Sequence, residues 1–476
     1  MVHRHILILA FPSQGSLNPT LQFAKTLVKI GVRVTLMASR SVERRMTSNN
    51  NNASPATVDG LTFAFFSDGY DDGIKITDDL NRFRSEFKSR SSKSMAELIT
   101  ASRNEGDHPI TCLVYNMLLV WAPELARDFD ISHAPLWIQP AAIFDVYFHY
   151  FNGYGDEIRR ISHGNSIGQV EIEIEIELPG LPRISRRDLP TYMLPSKMEN
   201  PFALPAFKEQ LEALDAETKK PTVLINTFDS LEEEALRAIE KYNLVAVGPL
   251  VPEAFLGGKD KSDTAFGCDL LQRSSDDLII EWLDAKERLS VVYVAFGSFL
   301  GVSNRQMEEI ARGLLESKRP FLWVVKDSES GDSLSCRDEL ERQGKVVPWR
   351  SQLEVLSHPS LGCFVTHCGW NSSLETLVCG VPIVGLPLFT DQPMNAKVLE
   401  GTAKIGVRLT VNEQGIAEGD EVRRCIEVVM GGGEKGEEMK RNAKKWKNLA
   451  KEATKEGGSS YVNLRAFVGE VQGDLQ

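Results

Sequence analysis

The stretch Ile6–Met37, ILILAFPSQGSLNPTLQFAKTLVKIGVRVTLM, decides the fold class of this chain. It opens with the continuous apolar run Ile6–Phe11, which is typical of a parallel strand covered on both faces. Asn18 is predicted to cap a helix that has Pro19 in its first turn. The helix leads to a second apolar strand, Val32–Met37. Two parallel strands joined by a helix predict an α/β fold.

The same alternation of strand and helix recurs along the chain, in two series separated by a change of composition. The predicted strands of both series are Ile110–Val114, Pro221–Asn226, Ser290–Ala295, Phe321–Val325, Gly362–Thr366 and Ile383–Leu386, with helices at Ala122–Asp128 and Leu231–Lys241. We therefore predict a first domain over residues 1–250, a linker over 251–275 and a second domain over 276–458. Residues 459–476 are expected to form a helix that returns to the first domain. Ligands of such folds bind at the carboxyl ends of the strands.

Composition limits the classes of partner. The chain has 476 residues, of which 42% are hydrophobic and 25% charged, and its net charge is −12. An acidic chain without a basic face is not suited to nucleic acid as its main partner. Seven cysteines without a CxxC pair are typical of reduced thiols. No segment reaches the ~20 apolar residues of a membrane helix. We expect a cytoplasmic, soluble and monomeric protein.

Two further patterns need an interpretation. Val170–Leu178, VEIEIEIEL, alternates strictly and predicts a single strand with one glutamate-lined face toward water. The triplet Asp128-Phe129-Asp130 has the DxD form that can hold a divalent metal ion. It ends a helical pattern rather than following a strand, so we interpret it as a solvated helix terminus and expect no metal site.

The densest pattern runs from Trp349 to Gln392 and predicts a strand, a tight turn, a helix and a further strand. Gly362–Thr366 leads into the turn, and the helix is expected to begin at residue 371 or 372. Ser372 and Glu375 have capping-box spacing. A helix N-terminus that follows a strand presents free amides, which suit a diphosphate.

Polar side chains surround this predicted phosphate site. His367 stands at the mouth of the turn, where its imidazole can donate to a phosphate oxygen. Asp391 and Gln392 follow the next strand and are expected to enter the same cleft. A carboxylate beside an amide suits the recognition of vicinal hydroxyls.

The stretch from Trp349 to Gln392 resembles the plant secondary-product glycosyltransferase signature. The matching positions are Trp349, Gln352, His358, His367 to Ser372, Glu375, Pro387, Asp391 and Gln392. Phe296-Gly297-Ser298, Trp282-Leu283-Asp284 and Gly248-Pro249-Leu250 extend the resemblance over nearly the whole chain. The stretches SDGYDDG and LINTFDSLE bring it nearest the crocetin and anthocyanin 5-O-glucosyltransferase group.

The resemblance implies a GT-B fold, in which two doubly wound Rossmann-like domains face a central cleft. It also implies a metal-independent, inverting enzyme without a cofactor, whose co-substrate is UDP-glucose and whose acceptor is a small hydrophobic molecule. The donor-binding residues implied are Ser298, Trp349, Arg350, Gln352, His367, Gly369, Trp370, Asn371, Ser372, Glu375, Asp391 and Gln392. Trp349 would stack on uracil, and Gln352 with Glu375 would hold the ribose. Trp370, Asp391 and Gln392 would face the sugar.

The first loop departs from the family pattern at one decisive position. Relatives read Q-G-H-x-N-P there, and the histidine acts as general base on the acceptor. This chain reads Gln14-Gly15-Ser16-Leu17-Asn18-Pro19, so Ser16 stands in place of the base. Asn116 stands where some members carry the aspartate that orients the histidine. Neither side chain accepts a proton usefully at pH 7.

Three explanations of the missing base remain open. The acceptor is a carboxylic acid or another acidic hydroxyl that is already ionised, and a carboxylic acid would give a glucose ester. Alternatively, Ser16 is an engineered change that inactivates an O-glucosyltransferase, or the chain is a UDP-sugar-binding protein with little turnover. Phe11, Trp121 and Gln139 are the candidate acceptor-binding residues.

Overall fold

The computed structural model describes residues 4–49, 59–75, 78–104, 108–163, 165–167, 170–172, 174–195, 203–258, 263, 278–297, 302–325, 334–348 and 351–473. Three predicted donor-site residues, Ser298, Trp349 and Arg350, lie outside this set. So does most of the predicted linker. Two parallel sheets organise the described residues, one in each half of the chain.

The first half contains eleven short strands among its described residues. They are β1 (His5–Leu9), β2 (Arg33–Ser39), β3 (Leu61–Phe66), β4 (Cys112–Asn116), β5 (Ser132–Trp137), β6 (Asn165–Ile167), β7 (Val170–Ile172), β8 (Glu175–Ile176), β9 (Ile184–Ser185), β10 (Thr222–Ile225) and β11 (Asn243–Ala246). Seven of them form one sheet in the order β11-β10-β5-β4-β1-β2-β3, with every pair parallel. Its central strands are fully buried, as strands covered on both faces must be.

Helices cover both faces of this sheet. They are α1 (Gln14–Lys29), α2 (Arg40–Asn49), α3 (Leu80–Asn104), α4 (Ala122–Asp128), α5 (Ala141–Phe151), α6 (Gly155–His163), α7 (Ala203–Asp215), α8 (Asp229–Ala238) and the single turn α9 (Glu253–Leu256). Two 3₁₀ turns, Arg186–Asp188 and Thr191–Met193, lie between β9 and α7. Helix α1 buries Leu21, Ala24 and Leu27, whereas Val28 is only half-buried.

The second half repeats the architecture. Its strands β12 (Val291–Ala295), β13 (Phe321–Val324), β14 (Lys345–Val347), β15 (Leu361–Thr366), β16 (Ile383–Gly385) and β17 (Gly406–Arg408) form a parallel sheet in the order β14-β13-β12-β15-β16-β17. Its helices are α10 (Leu278–Asp284), α11 (Asn304–Ser317), α12 (Arg337–Gln343), α13 (Gln352–Leu356), α14 (Trp370–Cys379), α15 (Gln392–Lys397), α16 (Gly419–Met430), α17 (Glu434–Thr454) and α18 (Ser459–Gly473). A π-helical turn, Val398–Thr402, follows α15. The predicted α/β architecture with two parallel sheets is confirmed.

The last helix, α18, packs against the first half of the chain rather than against the second sheet. Ser460 Oγ donates to the carbonyl of Gly248 at 2.6 Å, and Asn463 Nδ2 donates to the carbonyl of Ala246 at 3.0 Å. Both acceptors lie at or just beyond β11. The chain therefore crosses back to the first sheet after α17.

Three local predictions were wrong. Helix α1 begins at Gln14 with Ser13 as its N-cap, five residues before the predicted cap Asn18, because the Ser13 carbonyl already accepts the amides of Ser16 and Leu17. Helix α14 begins at Trp370 with Gly369 as N-cap and no side-chain cap, so Ser372 and Glu375 form no capping box.

The alternating segment is the third correction. It is not one strand, because β7 pairs antiparallel with β6 whereas β8 pairs antiparallel with β9. The predicted alternation does hold from residue 175 to 178, where Ile176 and Leu178 are buried and the two glutamates are exposed. The segment therefore contributes one strand to each of two separate hairpins.

Candidate functional site

A cleft of about 430 Å³ opens between the carboxyl ends of the two sheets. Loops after β1, β4 and β5 line one side, and loops after β12, β15 and β16 line the other. Most of the predicted site residues meet in this cleft. Those that line it are Phe11, Ser16, Gln139, Gln352, His367, Gly369, Trp370, Asn371, Ser372, Glu375, Asp391 and Gln392.

Asn116 and Trp121 do not line the cleft. Asn116 is buried at the end of β4, where its Oδ1 accepts the Leu118 amide at 3.1 Å. Trp121 packs its ring against Phe87 with centroids 6.0 Å apart, within the aromatic cluster behind Phe11. Their predicted roles therefore have no direct geometric support.

The N-terminus of α1 points into the cleft and carries a pair of hydroxyls. Ser13 Oγ donates to Ser16 Oγ at 2.9 Å, and Ser16 is only 3% exposed. Because Ser16 accepts this bond, its own O–H is left to donate. The first turn of α1 contains no acidic residue, so the helix dipole adds positive potential there. Sequence reasoning missed Ser13, whose part as cap and donor depends on where the helix begins.

Pro19 explains a contact between the two halves of the chain. In a regular helix the Gly15 carbonyl would accept the amide of residue 19, but proline has no N–H. Asn371, at the start of α14, supplies the missing donor: its Nδ2 lies 3.0 Å from the Gly15 oxygen. The N-termini of α1 and α14 therefore face each other across the cleft.

His367 sits between two glycines. A Cβ atom on Gly297 would lie 2.6 Å from His367 Nε2, and one on Gly369 would lie 2.4 Å from the same atom. Real Cβ atoms do not approach so closely, so the imidazole occupies space that only glycine leaves open. This packing holds the ring at the end of β15 beside the first turn of α14.

A polar triad joins α13 to α14. Gln352 Nε2 donates to Ser372 Oγ at 2.8 Å and to Glu375 Oε2 at 2.6 Å. Glu375 is 5% exposed, and its carboxylate faces the cleft. A buried carboxylate held by a charge-assisted hydrogen bond is a rigid acceptor for ligand hydroxyls.

The loop after β16 presents an acid and an amide. Gln392 Oε1 accepts the amides of Leu388 and Phe389, each at 2.8 Å, so Gln392 meets a ligand through its amino group. Asp391 accepts from Thr390 Oγ1 at 2.6 Å and from Asn395 Nδ2 at 2.7 Å. These bonds orient both side chains before any ligand arrives.

Trp370 ties the two halves of the chain together. Its Nε1 donates to the carbonyl of Asn226, the residue that follows β10, at 2.7 Å. The indole is 4% exposed. Because its N–H is engaged, Trp370 offers a ligand its ring face and its backbone.

Among the described residues that line the cleft from the first half of the chain, none is a histidine or a carboxylate that could replace the family histidine. His133 contacts Glu217, His149 contacts the Pro179 carbonyl, and His163 contacts the Arg159 carbonyl, all outside the cleft. Burial raises the pKa of Tyr147 and that of Tyr192, and the nearby Asp391 carboxylate raises each further. Both phenols therefore stay protonated at neutral pH.

Within the described ranges, no group of three or more His, Cys, Asp or Glu side chains is arranged to hold a metal ion. Asp128 closes α4, and Asp130 follows it with a left-handed φ of 50°. The DxD triplet is thus a helix terminus, as predicted. The helices that the structure describes include none long and apolar enough to cross a membrane.

Comparison with known proteins agrees with this geometry. A family model described as UDP-glucoronosyl and UDP-glucosyl transferase matches residues 267–451. The chloroplastic crocetin glucosyltransferase of Gardenia jasminoides is 53% identical over 474 residues, covering 98% of this chain and 97% of the relative. The anthocyanidin 3-O-glucoside 5-O-glucosyltransferase of Verbena hybrida is 49% identical over 479 residues, covering 99% of this chain and 100% of the relative.

A solved structure extends the likeness to three dimensions. The crystal structure of Os79 from O. sativa in complex with UDP has a TM-score of 0.83 at 32% identity, and the match covers 98% of this chain and 100% of that one. The expected GT-B fold is confirmed, and so is the resemblance to the crocetin and anthocyanin 5-O-glucosyltransferase group. The chain belongs to the family of UDP-glucuronosyl and UDP-glucosyl transferases.

Proposed function

We propose that this protein transfers glucose, with inversion, from UDP-glucose to a small hydrophobic acceptor whose oxygen is already ionised. The acceptor is a carboxylic acid, which gives a glucose ester, or an acidic hydroxyl. The observation that carries the proposal is the Ser13–Ser16 hydrogen bond, which makes Ser16 a donor where relatives have a base. A donor stabilises an anionic oxygen but removes no proton.

The second half of the cleft supports the donor assignment. Glu375 and its partner Gln352 suit the ribose hydroxyls, and the first turn of α14 with His367 suits the diphosphate. Asp391 and the Gln392 amino group suit the hydroxyls of a hexose. The name of the rice structure specifies bound UDP, and two relatives are named as glucosyltransferases.

The first half of the cleft supports a hydrophobic acceptor. Phe11, Met117, Leu118 and Ile138 line it, and Phe11 is backed by the ring of Phe83 with centroids 6.3 Å apart. Its described lining contains no lysine or arginine. We therefore expect acceptors with one negative charge rather than several. The hydroxyls of Ser13 and Ser16 and the N-terminus of α1 would stabilise that single charge.

The reaction balances without a base when the acceptor arrives ionised. Its oxygen attacks the anomeric carbon opposite the diphosphate, a C–O bond forms, and the bond from that carbon to the phosphate oxygen breaks with its electrons on UDP. The negative charge moves from the acceptor to UDP. The amides of α14 and the His367 imidazole would stabilise this departing charge.

Replacing Ser16 with alanine tests the proposal. Removing one hydrogen bond to a charged oxygen is expected to lower kcat/KM for a carboxylic acid acceptor about tenfold, from a contribution of about 1.5 kcal/mol. The dissociation constant of UDP, measured by calorimetry, is expected to stay unchanged because Ser16 lies on the other half of the cleft. Initial rates with UDP-glucose and the acid give the answer.

Two outcomes would contradict this account. Unchanged transfer by Ser16→Ala would remove Ser16 from the acceptor site. Binding of UDP by the unaltered chain with no transfer to acids or phenols would instead favour a UDP-sugar-binding protein or an inactivated transferase. Metal independence, a monomeric state and a cytoplasmic location are further parts of the proposal. The six described cysteines are all free, which is consistent with a reducing compartment.

A further inference from the structure

The segment from Ser185 to Met193 reaches from the first half of the chain to the loop that carries Asp391 and Gln392. Asp188 pairs with Arg408 of β17 at 2.7 Å, and these side chains are 1% and 5% exposed. Arg408 also pairs with Glu400 at 2.8 Å. A buried, shared arginine therefore anchors the segment against the second sheet.

Thr191 then makes two hydrogen bonds to a single residue of the loop. Its amide donates to the Thr390 carbonyl at 2.8 Å, and its Oγ1 accepts the Thr390 amide at 2.9 Å. Both backbone polar groups of Thr390 are thus held by one residue. Beside them, the rings of Tyr192 and Phe389 meet edge to face with centroids 5.3 Å apart.

Thr390 needs this support because its backbone is strained. Its φ is 56°, in the left-handed region that β-branched residues avoid. The strain is useful at this position, since it turns the chain so that Asp391 and Gln392 face the cleft. Thr390 Oγ1 also donates to Asp391, which couples the strained residue to the carboxylate.

We propose that Thr191 is a positioning residue for the donor sugar. From the first half of the chain, it holds Thr390 in its left-handed conformation and so places Asp391 and Gln392 of the second half. The inference rests on the proposed role of these two side chains in binding the hexose. This contact between the two halves therefore affects recognition of the sugar rather than of UDP.

Thr191→Val removes the hydroxyl and keeps the shape and the backbone bond, whereas Thr191→Ser keeps the hydroxyl. Calorimetry with UDP-glucose and with UDP, without acceptor, measures the two affinities. Thr191→Val is expected to weaken UDP-glucose binding about tenfold and UDP binding less than about twofold. Thr191→Ser is expected to restore wild-type binding.

A control and a second readout separate positioning from general damage. Thr47→Val removes a similar hydroxyl, bonded to the Glu43 carbonyl at 2.9 Å on α2, and is expected to change neither affinity. Equal weakening of UDP and UDP-glucose by Thr191→Val, or no weakening, would overturn the inference. Because binding is measured without turnover, the inference is tested even if the chain transfers no glucose. Failure of the unaltered protein to bind UDP-glucose would contradict both the inference and the proposed function.

Discussion

Ser16→His is expected to raise the rate of glucose transfer to a weakly acidic phenol by about 10²-fold, the lower end of what a general base contributes. Position 16 lies on α1 and lines the acceptor side of the cleft, next to Gly15, whose carbonyl contacts Asn371 of α14. The ordinary pKa of an imidazole is about 6.5, and burial together with the α1 N-terminus lowers it, so the gain appears as pH rises through a value below 6.5. Transfer to a carboxylic acid, which has no proton to lose, is expected to change less than about threefold.

Ser16→Gln is the matched control, since glutamine has a similar length but no basic nitrogen. It is expected to leave the phenol rate low. Initial rates for both variants on one acid and one phenol of similar size decide the matter. If histidine restores both acceptors equally from near zero, Ser16 marks a disabled active site, and the ionised-acceptor proposal fails.

Gly369→Ala is expected to weaken UDP binding by about 100-fold. The added methyl group would lie 2.4 Å from His367 Nε2, so the imidazole must leave its position. Losing one hydrogen bond to a charged phosphate oxygen costs up to about 3 kcal/mol, which corresponds to the expected factor. The φ of Gly369 is −59°, which alanine adopts without strain, so the effect comes from the clash alone.

Gly469→Ala provides the comparison for this variant. Gly469 lies within α18, and a Cβ added there meets no atom within 4 Å. Calorimetry with UDP and a thermal melt of each protein separate loss of the site from loss of the fold. Wild-type affinity in Gly369→Ala would show that His367 does not bind the diphosphate.

The fold was predictable because hydrophobic periodicity and the residues that start and end helices are local features of the sequence. The apolar runs that predict β1, β12 and β15 match the observed strands to within two residues at each end, and the helix Ala122–Asp128 matches α4 throughout. The α1 start was not predictable from the cap rule. Asn18 and Pro19 are good start signals, but Ser13 lies closer to the end of β1 and caps first.

The candidate site was predictable where one motif holds many of its residues. The stretch from Gln352 to Gln392 places its polar side chains on the same cleft because β15 and β16 are adjacent in the sheet. Its internal bonds were not predictable. Glu375 has capping-box spacing to Ser372, yet both accept from Gln352, a partner on another helix.

Contacts between the two halves of the chain could not be predicted from the sequence, for a different reason. Thr191 and Thr390 lie far apart in sequence, and Thr191 belongs to no motif. Their pairing depends on the positive φ of Thr390. A threonine in the sequence does not predict that backbone conformation. Pro19 did carry a usable signal, because a proline inside a helix frees the carbonyl four residues earlier.

The central claim is that the acceptor, and not the protein, supplies the ionised oxygen. The most direct test measures kcat/KM against pH for the unaltered protein with a carboxylic acid, an ordinary phenol of pKa about 10 and a phenol acidified by ring substituents, at saturating UDP-glucose. The account predicts that the pH at half-maximal rate follows the pKa of each acceptor, so that the acid is already at its maximum near neutrality. One common midpoint for all three acceptors would reveal a base in the protein and contradict the account.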